Sequence, residues 1–332
     1  MNSGGHVIVT GGAGFIGSHL VERLLRDGET VVVVDDFSTG HRGNLALLAT
    51  PSSRLRVIES TVSGCDELND LVAGAKGVFH LAAVVGVEQV LKSPVHTLRA
   101  NLHETEAILA AASAHRVPLL LASSSEVYGR SEKPEFDEED DLVIGPPRVG
   151  RWSYACSKLM DEFLALGCAR ERGLPVVIAR LFNTVGPRQS GRYGMVLPRF
   201  IAAARAGHPL RVFGDGRQTR CFCLVQDTIE ALIRLHGCDA ARGEVFNVGS
   251  AEEISILGLA ELVVSMLGSK SRIELVPYAT AYGPGFDEMR RRRPALQKLE
   301  RITGFRSVTS LQQTVATTAA WLPPDEDDQS GS

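Results

Sequence analysis

The chain predicts an α/β fold with a doubly wound parallel sheet, because strand and helix patterns alternate through its first half. An apolar strand over residues 6–10 enters a glycine-rich turn at 11–17, and a helix pattern near 14–27 follows directly. A second apolar strand, Val31 to Val34, ends at Asp35. Further strands are expected near 54–58, 77–83, 118–122 and 175–180, and further helices near 94–115 and 153–172.

The glycine turn and the acid after the second strand together predict a Rossmann site for a dinucleotide. Gly12 and Gly14 let the backbone approach a pyrophosphate, and Gly17 lets the helix pack close to the strand. The helix N-terminus offers N–H groups to the anion. Asp35 follows where an acid holds the adenosine ribose. Arg42 lies near enough to meet a 2′-phosphate, but Asp35 would repel that group, so the sequence favours NAD over NADP.

The composition is that of a soluble globular protein of 332 residues, of which 44% are hydrophobic and 22% charged. Its net charge of −4 predicts no general attraction to nucleic acid or to an anionic membrane. The six cysteines include no CxxC pair, so no metal site is expected, and Cys221 and Cys223 are predicted to be buried packing residues. No signal peptide or membrane-spanning run is visible, and a reducing cytoplasm is the expected location.

The length of the chain and the irregular pattern after Arg180 predict two lobes that are interleaved in sequence. Residues 1–180 form the predicted NAD-binding Rossmann domain, and residues 181–322 a smaller, mixed α/β lobe for the substrate. A segment near 221–250 contains an apolar strand that is expected to return to the large sheet. The acidic tail over 323–332 is predicted to be disordered. The cofactor is expected across the strand ends, with the substrate between the lobes.

The two long helix patterns carry more apolar surface than one chain needs to cover them. Leu98, Leu102 and Leu109 recur on the first helix, and Phe163 and Leu166 recur on the second. The sequence therefore predicts a homodimer that forms through a four-helix bundle.

Tyr154 and Lys158 lie four residues apart, which places a phenol and an ammonium group on one face of a helix. A nearby cation favours the phenolate and predicts a lowered tyrosine pKa, as acid–base catalysis requires. About thirty residues earlier, hydroxyl side chains and a carboxylate follow the strand at 118–122, from Ser123 to Glu126. Both features fall at the carboxyl edge of the sheet, where a nicotinamide ring would lie.

Taken together, these features resemble the extended short-chain dehydrogenase/reductase family in its nucleotide-sugar-modifying branch. The resemblance implies that Tyr154 takes the proton of a sugar C4 hydroxyl while hydride moves from C4 to NAD. It implies that Lys158 holds the nicotinamide ribose and that Ser124 bonds the C4 oxygen. The resemblance extends from Val7 to about Leu311 and rests on motifs at residues 10–17, 35–40, 80–83, 123–129, 154–158, 180–188 and 213–220.

The same resemblance implies a set of cofactor-binding residues. The sequence departs from the family at Thr61, where an aspartate that faces the adenine amine is usual, although Val62 can still supply backbone hydrogen bonds. The implied cofactor-binding residues are Gly11, Gly14, Phe15, Ile16, Gly17, Asp35, Asp36, Ser38, Thr39, Gly40, Val62, Leu81, Ala82, Ala83, Asn101, Tyr154 and Lys158.

For the substrate, the resemblance implies a UDP-type nucleotide sugar held by residues of both lobes. Arginines suit the diphosphate, because a guanidinium binds phosphate oxygens in a bidentate manner. The rest of the arginine run at 290–293 is predicted to be a solvated helix end. The implied substrate-binding residues are Ser124, Ser125 and Glu126 for the sugar, Asn183, Arg220 and Arg292 for the diphosphate, Leu197 and Phe213 beside the base, and Arg192 for a C6 carboxylate.

Enzymes of this branch share a 4-keto sugar and differ in the step that follows. Ser125 stands where a 4,6-dehydratase usually has an aspartate acid, whereas a UDP-glucuronate decarboxylase carries a hydroxyl and a glutamate there, as Ser125 and Glu126 do. The segments 189–195 and 278–286 resemble those of bacterial 4-epimerases. We also expect that Arg192, by holding a carboxylate near the plane of the 4-keto group, would resist loss of CO2.

The predicted function is therefore that of an NAD-dependent 4-epimerase, an isomerase acting on UDP-glucuronate or UDP-glucose. A UDP-glucuronate decarboxylase of the UDP-xylose synthase type and a sugar 4,6-dehydratase are the alternatives. A non-catalytic, NAD-sensing protein on the same fold is disfavoured, because Ser124, Tyr154 and Lys158 are all present.

Overall fold

The structure, a computed structural model, describes residues 5–46, 53–84, 93–191, 195–282 and 289–322. Its strands, in chain order, are β1 (His6–Thr10), β2 (Val31–Asp35), β3 (Leu55–Glu59), β4 (Ala75–His80), β5 (Leu119–Ser124), β6 (Val176–Leu181), β7 (Thr184–Val185), β8 (Leu210–Phe213), β9 (Thr219–Cys221), β10 (Cys223–Leu224), β11 (Val245–Val248), β12 (Glu253–Ser255) and β13 (Ile273–Val276).

Its helices are α1 (Phe15–Arg26), α2 (Arg42–Ala46), α3 (Leu68–Ala73), α4 (Pro94–His115), α5 (Trp152–Arg172), α6 (Val196–Ala206), α7 (Val225–His236), α8 (Ile256–Met266), α9 (Tyr278–Tyr282), α10 (Gln297–Thr303) and α11 (Leu311–Trp321). None of the helices in the described ranges combines the length and apolar character that a bilayer crossing requires.

Within the described ranges, seven strands form one parallel sheet in the order β11-β6-β5-β4-β1-β2-β3. Every residue of β2 is buried, as expected for a central strand of a parallel sheet that is covered on both faces. The predicted doubly wound α/β fold is confirmed. The strand expected over 77–83 spans Ala75–His80, because its neighbour β1 ends at Thr10, whose carbonyl accepts the last bond from the N–H of Leu81.

Two hydrophobic cores cover the two faces of this sheet. On one face, α1 and α7 pack against residues such as Val9, Val33 and Phe79. On the other face, α3, α4 and α5 pack against residues such as Ile8 and Val78. These layers hold the strands in register, so that the carboxyl ends of the strands are fixed relative to one another.

A third hydrophobic core lies outside the large sheet and joins α6, α8 and α11 with β8. Short strand pairs border it, parallel for β8 and β13 and antiparallel for β9 and β12. Between these segments in sequence, β11 pairs with β6 and adds the seventh strand to the large sheet. The domain boundary at residue 180 stays a prediction, and the acidic tail over 323–332 lies outside the described residues.

In the second half of the chain, the structure confirms the prediction for two cysteines and contradicts the prediction for an arginine segment. Cys221 and Cys223 are free thiols with 0% and 1% exposure, which confirms the prediction of packing residues. The helix end predicted at 290–293 is wrong, because these residues are extended and bond across to other segments. Thr219 N–H donates to the carbonyl of Arg290, and Phe136 N–H donates to that of Arg293.

Part of the apolar surface of α4 and α5 is buried by packing within the chain. Leu109 is buried in the second core, whereas Phe163 on α5 is 65% exposed and Met160 is 49% exposed. The exposed Phe163 and Met160 side chains are of the kind that an interface with a second copy would bury. The homodimer stays a prediction.

A buried ion pair ties α5 to the sheet below the cavity edge. The Arg180 guanidinium lies 2.8 Å from the Glu162 carboxylate, and both side chains are at most 5% exposed. Glu162 also accepts a hydrogen bond of 2.5 Å from Ser123, and Arg180 donates to the hydroxyl of Tyr128. The network is satisfied on both sides, so removal of one charge leaves the other buried without its partner.

We therefore expect Glu162→Gln to lower the free energy of unfolding by about 3 kcal/mol or more, because Arg180 would keep a buried, uncompensated charge. Urea denaturation measures this change. The exposed pair of Arg23 and Asp27 provides the control, since Asp27→Asn should cost less than about 1 kcal/mol. Equal losses in the two variants would contradict a special role for the buried pair.

Candidate active site

A cavity of about 1410 Å³ opens along the carboxyl edge of the large sheet and extends toward the third core. This volume exceeds that of a pocket for a single small ligand, and it suits a dinucleotide beside a second molecule. Arg192 lies outside the described residues. The other predicted site residues all line this cavity: Gly11, Gly14, Phe15, Ile16, Gly17, Asp35, Asp36, Ser38, Thr39, Gly40, Val62, Leu81, Ala82, Ala83, Asn101, Ser124, Ser125, Glu126, Tyr154, Lys158, Asn183, Leu197, Phe213, Arg220 and Arg292.

The glycine turn forms a cradle with no room for side chains. A Cβ added at Gly17 would lie 2.1 Å from the carbonyl oxygen of Gly11, and one at Gly12 would lie 2.7 Å from Val33. Gly11 has φ +70°, and a Cβ there would also press on the backbone of Ala82. The first turn of α1 follows directly, so its N–H groups, which have no partner inside the helix, face the turn. This geometry fits a pyrophosphate.

Asp35 is held in place at the end of β2 beside the glycine turn. Its carboxylate accepts hydrogen bonds of 2.8 Å from the backbone N–H groups of Ala13 and Phe37. Burial raises the pKa of this carboxyl, and the two backbone bonds oppose that effect. Arg42 forms an ion pair with Glu59 and stacks on Phe37 at 4.1 Å. A fixed acid at this place suits the ribose hydroxyls of NAD and repels a 2′-phosphate.

Asn101 links the cavity wall to α5 from its position on α4. Its side chain accepts a hydrogen bond of 2.8 Å from Val84 N–H and donates one of 3.0 Å to the hydroxyl of Ser157. Because Ser157 precedes Lys158 directly, this bond fixes the turn of α5 that carries the lysine.

Tyr154 lies on the first turn of α5 and meets the segment that follows β5. The Ser124 side chain acts on the Tyr154 phenol and lowers its pKa, and the Ser124 hydroxyl accepts the N–H of Glu126 at 3.2 Å. Burial raises the pKa of Tyr154 well above its ordinary value, and the Glu126 carboxylate raises it further. The expected lowering of this pKa does not occur within the protein by itself.

Burial is the main cause of the raised pKa of Tyr154, and Asp161, the ion-pair partner of Lys158, adds to it. The Lys158 ammonium group is 3.2 Å from Asp161, and the two side chains are 4% and 0% exposed. Asp161 lies three residues further along α5, on the same face. The carboxylate offsets the charge that the ammonium group would otherwise present to the tyrosine, and it holds the lysine in the cavity wall.

A second charged cluster lies next to Tyr154 and is formed by Glu126, Arg151 and Arg292. Arg292 donates to the Glu126 carboxylate at 2.6 Å, and Arg151 approaches it at 3.3 Å. Burial alone would raise the pKa of Glu126, but Arg292 and Arg151 overcome that effect and lower the pKa to about 2. Among the described residues, the Nε of Arg292 is buried and has no hydrogen-bond partner. An anionic ligand would satisfy that donor.

The remaining substrate candidates lie at the far end of the cavity. Asn183 donates to the carbonyl of Cys221 at 3.3 Å, and Arg220 donates to the carbonyl of Thr219 at 2.7 Å. Phe213 lies under the guanidinium of Arg199 at 4.7 Å. This end therefore offers a stacked aromatic ring and cationic groups, which suit a base and a diphosphate.

Sequence reasoning missed three charged residues of the cavity region, Arg151, Asp161 and Glu104. Arg151 and Asp161 lie three residues before Tyr154 and three residues after Lys158, which is one helical turn in each case. That spacing is a signal that the sequence already contains. Glu104 contacts Val62, which is 42 residues away, and only the packing of α4 brings the two together.

The chain matches the model of a known protein family. The family model described as "NAD dependent epimerase/dehydratase family" matches residues 7–249. The chain belongs to this family. NAD is its cofactor, and the glycine cradle and Asp35 fit that molecule.

Relatives within the family carry out more than one reaction. The UDP-N-acetyl-alpha-D-glucosaminuronate decarboxylase of Bacillus cytotoxicus is 39% identical over 322 residues, covering 97% of this chain and 98% of that protein. UDP-glucuronic acid decarboxylase 1 of Danio rerio is 32% identical over 98% of this chain and 74% of that protein. The structure of UDP-glucuronic acid 4-epimerase from Bacillus cereus, solved with UDP-glucuronic acid and NAD, superposes with a TM-score of 0.85 at 27% identity, covering 95% and 98%.

The glycine cradle gives a direct test of cofactor binding. We expect Gly17→Ala to weaken NAD binding by about ten- to a hundredfold, because the added methyl group collides with the Gly11 carbonyl and displaces α1 from the turn. Calorimetric titration with NAD measures the affinity. Gly167→Ala is the control, since a Cβ on this α5 glycine meets no atom within 4 Å and NAD binding should be unchanged.

The charge of Glu126 gives a test that depends on pH. Because the carboxylate raises the pKa of Tyr154, we expect Glu126→Gln to lower that pKa and to move the acidic limb of the pH–rate profile to lower pH. Glu126 stays ionised across this range, so the limb reports the tyrosine. The measurement is single-turnover reduction of bound NAD by the sugar nucleotide. Glu230→Gln on α7, outside the cavity, should leave the limb in place.

Proposed function

We propose that this chain is an NAD-dependent decarboxylase of a UDP-linked hexuronate, which releases CO2 and a UDP-linked pentose. The observation that carries the proposal is the position of Glu126, fixed beside Tyr154 between Arg151 and Arg292. In the resembling family, a hydroxyl residue followed by a glutamate in this loop is the pattern of UDP-glucuronate decarboxylases. The decarboxylases among the relatives, at up to 39% identity over nearly the whole chain, support the same function.

The chemistry begins at C4 of the sugar. NAD, when bound, accepts a hydride from C4 and returns it at the end of the cycle. Tyr154 takes the proton of the C4 hydroxyl, and Ser124, whose side chain acts on the Tyr154 phenol, holds the C4 oxygen. The product of this step is a 4-keto sugar whose C5 carries a carboxylate, which is a β-keto acid.

Loss of CO2 then needs little further acid–base chemistry. The C5–C6 bond breaks, its electron pair moves into the C4 carbonyl, and C4 oxygen becomes an enolate. Hydrogen bonds from Tyr154 and Ser124 stabilise the charge that develops on that oxygen. A proton supplied by water then adds to C5 and the C4 carbonyl forms again, after which the hydride returns to C4 and Tyr154 returns its proton to the C4 oxygen.

The arginines beside Glu126 supply the charge that a carboxylated substrate requires. The guanidinium groups of Arg151 and Arg292 both lie beside the Glu126 carboxylate at this corner of the cavity. The buried Nε of Arg292 offers a further donor to an anion. A dehydratase, by contrast, usually has an acid at position 125, where this chain has a buried serine, so the dehydratase alternative is disfavoured.

The 4-epimerase predicted from the sequence is supported less well. An epimerase uses the same Tyr154 and NAD, and the fold likeness to a UDP-glucuronic acid 4-epimerase is compatible with both reactions. The role of Arg192 in resisting CO2 loss falls outside the described residues and stays a prediction. Several relatives that match most of the chain at more than 30% identity are decarboxylases, and they favour that alternative.

Product analysis separates the two reactions. We expect purified protein with NAD to convert UDP-glucuronate, UDP-N-acetylglucosaminuronate or both into a UDP-pentose that lacks the mass of CO2. Mass spectrometry and NMR of the products measure this conversion. A product of unchanged mass with an inverted C4 would contradict decarboxylation and establish the epimerase.

The tyrosine supplies the catalytic control for that experiment. We expect Tyr154→Phe to slow turnover by at least about a hundredfold, because the phenol that accepts the C4 proton is lost. Retention of NAD by the variant shows that its site is intact. Undiminished turnover in Tyr154→Phe would contradict the mechanism, whichever sugar is used.

A further inference from the structure

The wall of the dinucleotide cavity beside Asp35 is built by the segment that follows β3. β2 and β3 are adjacent and parallel, so Asp35 at the end of β2 and Ser60 to Val62 after β3 lie at the same edge. The amide of Ser60 bonds the carbonyl of Asp35 at 3.2 Å, and both segments line the cavity. With the ribose at Asp35, the adenine ring therefore falls against residues 60–62.

This segment lacks the acid that the resembling family usually places there. Thr61 stands at that position, and its hydroxyl accepts the N–H of Gly64 at 3.0 Å within the local turn. The loop after β3 therefore presents a hydroxyl where a carboxylate is the usual acceptor for an amine.

A carboxylate reaches the same wall from a different element. Glu104, on α4, lines the cavity, and its Oε2 accepts hydrogen bonds from the N–H groups of Val62 and Ser63, the latter at 3.1 Å. Its Oε1 accepts the hydroxyl of Ser63 at 2.6 Å. Because the N–H of Val62 donates to Glu104, this backbone donor is not available to the adenine, contrary to the expectation from the sequence.

The Glu104 carboxylate has acceptor capacity beyond these bonds. An ionised carboxylate offers about four acceptor positions and no donor. The described residues use three of them, two at Oε2 and one at Oε1. Counted over the described part of the chain, one position at Oε1 therefore remains for a donor in the cavity.

We propose that Glu104 binds the exocyclic amine of the adenine of NAD, in place of the acid that is missing at position 61, and that it makes the site selective for adenine. The amine is a donor and matches an acceptor-only carboxylate. A hypoxanthine ring carries an oxygen at the same position, and the lone pairs of that oxygen face the carboxylate unfavourably. The Glu104 carboxylate thereby distinguishes adenine from hypoxanthine at the end of NAD opposite the nicotinamide ring.

The test is a competition between two dinucleotides, with no sugar present. Protein is equilibrated with NAD and nicotinamide hypoxanthine dinucleotide, separated from free ligand and denatured, and the retained dinucleotides are quantified by chromatography. We expect the unmodified protein to retain NAD with a preference of about tenfold or more, and Glu104→Gln to lose most of it, because an amide can donate to the hypoxanthine oxygen. The same ratio measured in Glu106→Gln, an exposed glutamate one position beyond Thr105, should be unchanged.

A second variant separates recognition of adenine from support of the loop. Adding Thr61→Asp to Glu104→Gln returns a carboxylate to the wall, and we expect it to restore preference for NAD. If Glu104 only holds residues 62 and 63 in place, Glu104→Gln weakens both dinucleotides equally and the preference persists, which overturns the proposal. If the double variant shows no preference for NAD over nicotinamide hypoxanthine dinucleotide, an acid at position 61 does not replace Glu104, which contradicts the proposal. Neither result depends on the reaction that the protein catalyses.

Discussion

The parallel arrangement of the large sheet is the constraint on which the site depends. Because all seven strands point the same way, their carboxyl ends meet at one edge. The strand order changes direction between β1 and β4, and the crevice opens there. Residues far apart in sequence, such as Gly11, Asp35 and Ser124, reach one cavity only through this geometry. The two cores on the faces of the sheet fix the positions of those strand ends.

The charges of the site are arranged in buried pairs, and this arrangement controls the reactive tyrosine. Lys158 is matched by Asp161, and Glu126 is matched by Arg151 and Arg292. Burial and the Glu126 carboxylate together raise the pKa of Tyr154, so its phenol stays protonated in the protein alone. Ionisation of this group therefore requires a change in the charges around it, which couples acid–base chemistry to occupation of the cavity.

Local patterns predicted the fold and most of the cavity lining, because each pattern is a property of neighbouring residues. The geometry of the glycine turn with Asp35, and that of the pair Tyr154 and Lys158, can each be predicted from a short stretch of sequence. The roles of Asp161 and Glu104 were not predicted from local patterns. The first changes the expected effect of Lys158 on the tyrosine, and the second reaches the cofactor wall only through the packing of α4. The extended arginine segment at 290–293 has the same cause, since its backbone partners are distant in sequence.

Fold likeness separates the reactions of this family poorly, and the physical reason lies in their shared first step. Oxidation at C4 needs only the tyrosine, the serine and NAD, so epimerases and decarboxylases keep the same cavity frame. After that step a decarboxylase loses the C5 carboxylate as CO2, whereas an epimerase lets the keto sugar turn so that hydride returns to the other face of C4. Among the described residues, Glu126, Arg151 and Arg292 form a charged cluster beside Tyr154. We infer that such charged contacts, rather than the backbone, decide between the two reactions.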